Sequence, residues 1–285
     1  MARPSIQERL SEIDLKAIEV TRNSGLIQLQ KSLLKTLLPV EEYLRSNGIN
    51  LSEEEINSIR DKVLSEKTPT IMFLDAPMFK VDILKIAGEI ARVLMENSFY
   101  KDSLQPLLRE LELNFSGDEV LKAILSSDAE WFRVQGNKLG VDSSLLLFIL
   151  STPLQPFFEE LARRLEKGLK ENWLQSDCPI CGRTTHVAKM RNRKKYLVCS
   201  YCGAEYLVDL FLCTHCGNVD PNTLGFISLE EYPEFEIDYC EKCRHYIKVI
   251  FEERLRSYIP PGLEDLATIE LDKFAEREDI GLTRY

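Results

Sequence analysis

All eight cysteines of this 285-residue chain lie in C-x-x-C pairs: Cys178/Cys181, Cys199/Cys202, Cys213/Cys216 and Cys240/Cys243. Two thiolates held by one tight turn can grip a metal ion from one side. A second such turn completes a tetrahedral S₄ shell with bonds of about 2.3 Å. Four turns therefore predict two metal centres, and the eight cysteines are the expected ligands. Each structural zinc site supplies roughly 10–16 kcal/mol, enough to fold a β-module too small for a large apolar core.

Spacing suggests which turns share an ion. Cys178-x₂-Cys181-x₁₇-Cys199-x₂-Cys202 has ribbon spacing, and Cys213-x₂-Cys216-x₂₃-Cys240-x₂-Cys243 is a longer version of it. Sequential pairing is expected, with a cross-braced arrangement, first turn with third, as the alternative. Gly182, Gly203 and Gly217 each follow the second cysteine of a pair, where a positive φ is needed. Arg244 takes that place in the fourth pair, which predicts a looser or differently shaped turn. A closed S₄ shell leaves no open coordination position, which argues against metal-assisted hydrolysis; iron and zinc both suit it.

Other uses of these cysteines fit less well. The N-terminus, Met-Ala-Arg-Pro-Ser-Ile-Gln-Glu, lacks the apolar core of a secretory signal, which argues against structural disulfides. Four C-x-x-C pairs within 66 residues do not match a thioredoxin-like βαβ layout. His186, His215 and His245 lie near the turns, but eight thiolates already fill two sites, so packing or surface roles are expected for them. No catalytic triad, phosphate-binding glycine loop or H-E-x-x-H element is present.

With 44% apolar and 29% charged residues, the chain has the composition of a globular protein large enough for two domains. Its longest unbroken apolar run, Leu145 to Leu150, is far short of the ~20 residues needed to span a bilayer. A net charge of -10 disfavours nucleic acid and acidic lipid and favours a basic partner. The cluster Lys189, Arg191, Arg193, Lys194 and Lys195 raises a nucleic-acid reading, yet residues 178–243 carry seven basic against nine acidic side chains. A solvated hairpin tip is the expected place for that cluster.

Before about residue 175 the apolar periodicity is helical. Ser52 and Glu55 form a capping-box pattern opening a helix to about residue 66. Ile83, Ala87, Ile90, Ala91 and Leu94 mark one face of the next, with shorter helices at 107–113 and 120–125. Leu161, Leu165, Leu169 and Trp173 predict a last helix running directly into Asp177-Cys178, with Glu159/Arg163 and Glu160/Arg164 as surface pairs. After residue 177, Tyr196-Leu197-Val198, Glu205–Val208 and the alternating Glu234–Tyr239 read as strands. The acidic side of the last, Glu234, Glu236 and Asp238, is expected to be solvated, with docking of a basic peptide as the alternative.

These blocks carry a resemblance. Trp173, Cys178-Pro179-Ile180-Cys181-Gly182, Tyr196-Leu197-Val198-Cys199-Ser200-Tyr201-Cys202, Cys213-Thr214-His215-Cys216 and Tyr239-Cys240-Glu241-Lys242-Cys243-Arg244-His245-Tyr246-Ile247-Lys248 resemble the FdhE family of formate dehydrogenase accessory proteins. Leu139–Leu146, Leu154-Gln155-Pro156 and Asp265-Leu266-Ala267-Thr268-Ile269-Glu270-Leu271-Asp272 extend the likeness over about residues 139–275. Tyr206 stands where the family commonly has tryptophan.

The resemblance implies an α+β protein. An all-α helical domain (1–175) is followed by tandem rubredoxin-like or zinc-ribbon Cys₄ modules (176–250, comprising 178–202 and 213–243) and a C-terminal helical tail (251–285) packed on the rest. It implies a cytoplasmic, non-enzymatic chaperone. The expected partner is the catalytic subunit of a respiratory formate dehydrogenase, a molybdenum or tungsten pterin enzyme, with homodimerisation possible and no nucleic-acid partner. The alternatives are a redox-active or iron-delivering rubredoxin-like protein and, more remotely, a zinc-ribbon nucleic-acid binder.

Overall fold

In the computed structural model the described residues are 3–20, 24–79, 81–97, 100, 103–277 and 280–283. A helical region precedes a sheet region, and two short helices follow. The helices are α1 (Ile6–Val20), α2 (Ser24–Asn47), α3 (Glu53–Glu66), α4 (Ile83–Asn97), α5 (Gln105–Leu113), α6 (Gly117–Leu125), α7 (Ala129–Leu139), α8 (Ser143–Ser151) and α9 (Gln155–Leu169). The capping box at Ser52 forms as expected: Ser52 Oγ accepts from Glu55 N–H while the Glu55 carboxylate accepts from Ser52 N–H. Ile83, Ala87, Ile90, Ala91 and Leu94 are all buried, and α4 packs on α2, α5 and α8.

The last long helix departs from its periodicity. Lys167 is non-helical, Gly168 has φ 107°, and Trp173 lies beyond the helix in the following turn. The four-residue stripe therefore continues across a break. Trp173 is buried all the same, and its indole N–H donates to Asp177 O at 2.6 Å, which fixes the approach to the first cysteine turn. The expected surface pairs on this helix do not form. Glu159 instead receives Arg3 at 2.9 Å and Arg9 at 2.8 Å, Arg163 pairs with Glu160, and Arg164 reaches Glu53 and Leu51 O. The continuous stretch Ser143–Leu169 is long and apolar enough to be considered as a membrane span, but 67% of its most apolar window is buried inside the protein.

Six strands form one sheet: β1 (Val187–Arg191), β2 (Lys194–Val198), β3 (Glu205–Val208), β4 (Leu224–Ser228), β5 (Phe235–Cys240) and β6 (Tyr246–Phe251), in the order β3-β2-β1-β6-β5-β4. Each half of the sheet is antiparallel and follows one plan: cysteine turn, two strands, cysteine turn, third strand. The halves meet where β1 runs parallel to β6, with Val187 opposite Lys248 and Met190 opposite Phe251. The two Cys₄ modules thus share one continuous sheet. Asn192 and Arg193, both at positive φ, close the β1–β2 hairpin with a turn whose twist matches the strands.

The C-terminal signature is two short helices, α10 (Glu264–Ala267) and α11 (Ile269–Ala275), broken at Thr268. Its acidic residues have a specific task. Asp265 and Asp272 each lie 2.6 Å from Lys248 Nζ, a fully buried ammonium on β6. Tyr246 O–H also donates to Asp272, at 2.8 Å.

Candidate metal centres

Four cysteine turns repeat one backbone pattern. Gly182, Gly203, Gly217 and Arg244 N–H donate to Cys178, Cys199, Cys213 and Cys240 O at 2.9, 2.8, 3.0 and 2.8 Å. In return Cys178, Cys199, Cys213 and Cys240 N–H donate to the carbonyls of Arg183, Ala204, Asn218 and His245 at 3.0, 3.0, 2.8 and 3.0 Å. The residue after each second cysteine is left-handed, with φ of 71°, 73°, 69° and 63°. Arg244 thus adopts the glycine conformation, which corrects the expectation of a looser fourth turn. Its guanidinium is anchored on Ile280 O and Gly281 O, contacts no sequence pattern announces.

The turns bring Cys178, Cys181, Cys199 and Cys202 together, and Cys213, Cys216, Cys240 and Cys243 together, the ligand atoms of each group lying within 4.8 Å of one another. This is the sequential pairing. Sulfur separations are 3.4 Å (Cys178–Cys202), 3.5 Å (Cys181–Cys199), 3.5 Å (Cys213–Cys243) and 3.8 Å (Cys216–Cys240). A tetrahedron with 2.3 Å metal–sulfur bonds has edges of about 3.8 Å, so both quartets could hold a metal ion. None of the eight cysteines is in a disulfide.

The thiols of each quartet are electrostatically unequal. Hydrogen bonds from Cys178, Cys181 and Cys202 hold the Cys199 thiol well below its usual range, whereas burial raises those of Cys178 and Cys202. In the second quartet burial opposes the Cys240 thiolate, but the Cys243 and Lys242 N–H groups and the Asn218 amide bring it down to about 7. Burial pushes Cys243 up to about 12.

Surroundings separate the two centres further. The first is buried and clamped from three sides. Thr70 N–H and Ile71 N–H donate to Pro179 O and Ile180 O at 2.8 and 2.9 Å, and Arg183 stacks over Tyr201, whose hydroxyl donates to Ser151 O at 2.6 Å. Arg3, from the other end of the chain, donates to Cys199, Ser200 and Tyr201 carbonyls at 3.3, 3.0 and 2.9 Å. Tyr206 is buried, its hydroxyl 2.8 Å from Thr185 Oγ1 and donating to Ser176 O at 3.0 Å. At the second centre Cys216 is exposed and Cys243 half-buried. His215 and His245 stack beside it with ring centroids 3.3 Å apart.

The basic cluster is not a solvated hairpin tip. Lys189 binds Glu264 at 2.9 Å and Glu205 at 3.4 Å, Arg191 binds Glu252, Lys194 binds Glu171 at 3.3 Å, and Lys195 binds Asp238 at 2.6 Å. Four of its five cations are therefore paired with carboxylates of the same chain, three of them buried or half-buried and the Lys194–Glu171 pair exposed. The acidic side of β5 is correspondingly not plainly solvated: Asp238 is held by Lys195, and Glu236 accepts from Ser228 at 2.9 Å.

No family model matches the chain. A protein named FdhE homolog from Aquifex aeolicus (strain VF5) is 32% identical over 144 residues, covering 49% of this chain and 50% of that protein. An FdhE homolog from Stutzerimonas stutzeri (strain A1501) is 31% identical over 113 residues, covering 36% of this chain and 35% of its own length. The crystal structure of the FdhE protein from Pseudomonas aeruginosa superposes with a TM-score of 0.57 at 19% identity, over 99% of this chain and 95% of that one. The resemblance to FdhE is borne out. The sequence matches thus span half or less of the curated relatives, while the FdhE fold extends over nearly the whole chain.

Proposed function

We propose that this chain is a formate dehydrogenase accessory protein. In this reading it binds the immature catalytic subunit in the cytoplasm and holds it until its cofactor is in place, without catalysing a reaction itself. Cys178, Cys181, Cys199 and Cys202 bind one iron or zinc ion, and Cys213, Cys216, Cys240 and Cys243 bind a second. The observation that carries the reading is the fourfold cysteine turn set in an FdhE fold. Saturated S₄ shells suit a rigid scaffold, because they leave no position for a substrate. The division into a helical domain (1–175), a metal-binding domain (176–250) and a tail (251–285) belongs to the same proposal. Pull-down from native extract is the test. Recovery of the formate dehydrogenase catalytic subunit is expected, and its absence from the captured proteins would contradict the reading.

One observation favours a second reading, a redox or iron-delivering role: Cys216 is exposed, so the second centre is open to ligand exchange. That reading requires iron. Colourless protein holding only zinc after anaerobic purification would exclude it.

A further inference from the structure

The two edges of the sheet are finished differently. At β3 the edge is covered, since Leu207 N–H donates to Lys170 O at 2.7 Å at the end of α9. At β4 no described strand pairs with the outer edge. Natural sheets blunt such an edge with lysine or proline, but β4 reads Leu224-Gly225-Phe226-Ile227-Ser228 and has neither. A cavity of about 290 Å³ opens beside it on one face of the sheet, with Met190, Ile247, Val249 and Phe251 as its apolar floor and Leu210 and Phe211 as a wall. Phe226, 67% exposed, stands at the mouth.

Charge around this edge is mainly acidic, with Lys195 the cation that lines the cavity. Phe226 lies opposite Asp238 and Ser228 opposite Glu236, so both carboxylates share the cavity face with Phe226. Asp238 is matched by Lys195, but among the described residues Glu236 has no ion-pair partner and is bound only through Ser228 and Asp238. Burial and Asp238 raise its carboxyl above the usual range against the opposing pull of Ser228 and of Arg254 at longer range, and a further cation placed there would relieve this. Glu230, Glu231 and Glu234 follow in the loop leaving β4. A second copy docked edge to edge would set these acids against each other, which disfavours self-pairing.

We propose that β4 and the adjoining groove bind an extended basic segment of a partner protein by strand addition, an apolar side chain packing on Phe226 and an arginine or lysine two residues away reaching Glu236. Main-chain pairing along β4 supplies affinity, and the alternation of side chains supplies selectivity. The two positions match because residues two apart in the added strand share a face, as Phe226 and Ser228 do. The proposal rests on the accessory-protein reading and names the surface that would hold the client.

A capped peptide, Thr-Leu-Thr-Arg-Thr-Leu-Thr, titrated into the ¹⁵N-labelled full chain tests it. Expected are amide shifts concentrated at 224–228 and affinity that falls as ionic strength rises. Glu236→Gln should weaken binding about fivefold, as should Phe226→Ser; the first keeps the side-chain shape and an acceptor for Ser228, and Phe226 is largely exposed, so both should leave the fold intact. Equal binding of the peptide with Glu in place of Arg, shifts centred elsewhere, or a concentration-dependent dimer through β4 would each overturn the proposal. In pull-downs, undiminished client capture by the Phe226→Ser/Glu236→Gln double variant overturns this surface but leaves the accessory reading standing. Failure of the wild-type chain to capture client overturns that reading, while the peptide titration still judges the edge on its own.

Discussion

Arg3 donates to the carbonyls of Cys199, Ser200 and Tyr201 and to Glu159, although it lies almost two hundred residues from that turn in sequence. A planar fork of donors fits several acceptors at once, and a lysine ammonium does not reproduce it. Arg3→Ala should cost about 3 kcal/mol in urea unfolding, because it leaves partly buried carbonyls and part of the Glu159 charge without their donor. Arg3→Lys should recover little of that. Single residues were legible in the sequence where a local rule governs them. The eight ligands follow from C-x-x-C spacing, and Gly182, Gly203 and Gly217 from the φ their turns need. Arg3 and Arg244 follow no local rule. Arg3 is placed by the packing of a terminus, and Arg244 takes a left-handed φ of 63° with its guanidinium held on the tail.

Elements were read well where periodicity acts alone and less well where a distant partner intervenes. α4 and the strands β2, β3 and β5 follow their apolar patterns. α9 breaks at Gly168 although the four-residue stripe continues, since Trp173 can stay buried without a helical backbone once its indole binds Asp177 O. The charged cluster on β1 and β2 departs from a solvated tip for the same reason: its carboxylate partners, Glu205, Asp238, Glu252 and Glu264, come from other elements. Lys248 shows what such pairing holds together. It is fully buried on β6 and ties down both Asp265 and Asp272, so Lys248→Met should detach α10 and α11 from the sheet. Loss of about 3–5 kcal/mol is expected, because two carboxylates lose their buried counter-ion. Hydrogen exchange should show 264–275 losing protection first.

At the scale of the whole molecule, one sheet joins two centres that differ in access, and a buried ionic layer locks the sheet to its surroundings. Glu205 sits in that layer against Lys189, Lys170 and Arg191. Burial alone would raise its carboxyl, but Lys189 and Lys170 overcome this and bring it down to about 2. Since the folded value lies below the unfolded one, near 4.5, this stabilisation is complete above about pH 4.5 and is lost as pH falls towards 2. Glu205→Gln should remove that acid-dependent component from a pH series of urea midpoints and leave the remaining slope. The merging of both modules into a single sheet was not legible in the sequence, because the parallel β1–β6 pairing joins strands some sixty residues apart.

Native mass spectrometry of the anaerobically purified chain tests the two-centre claim most directly. Two tetrahedrally bound ions per chain are expected, with Cys181→Ser and Cys216→Ser each lowering the count or affinity at one centre only. A chain carrying no ion, a single ion, or cysteines joined as disulfides would contradict it.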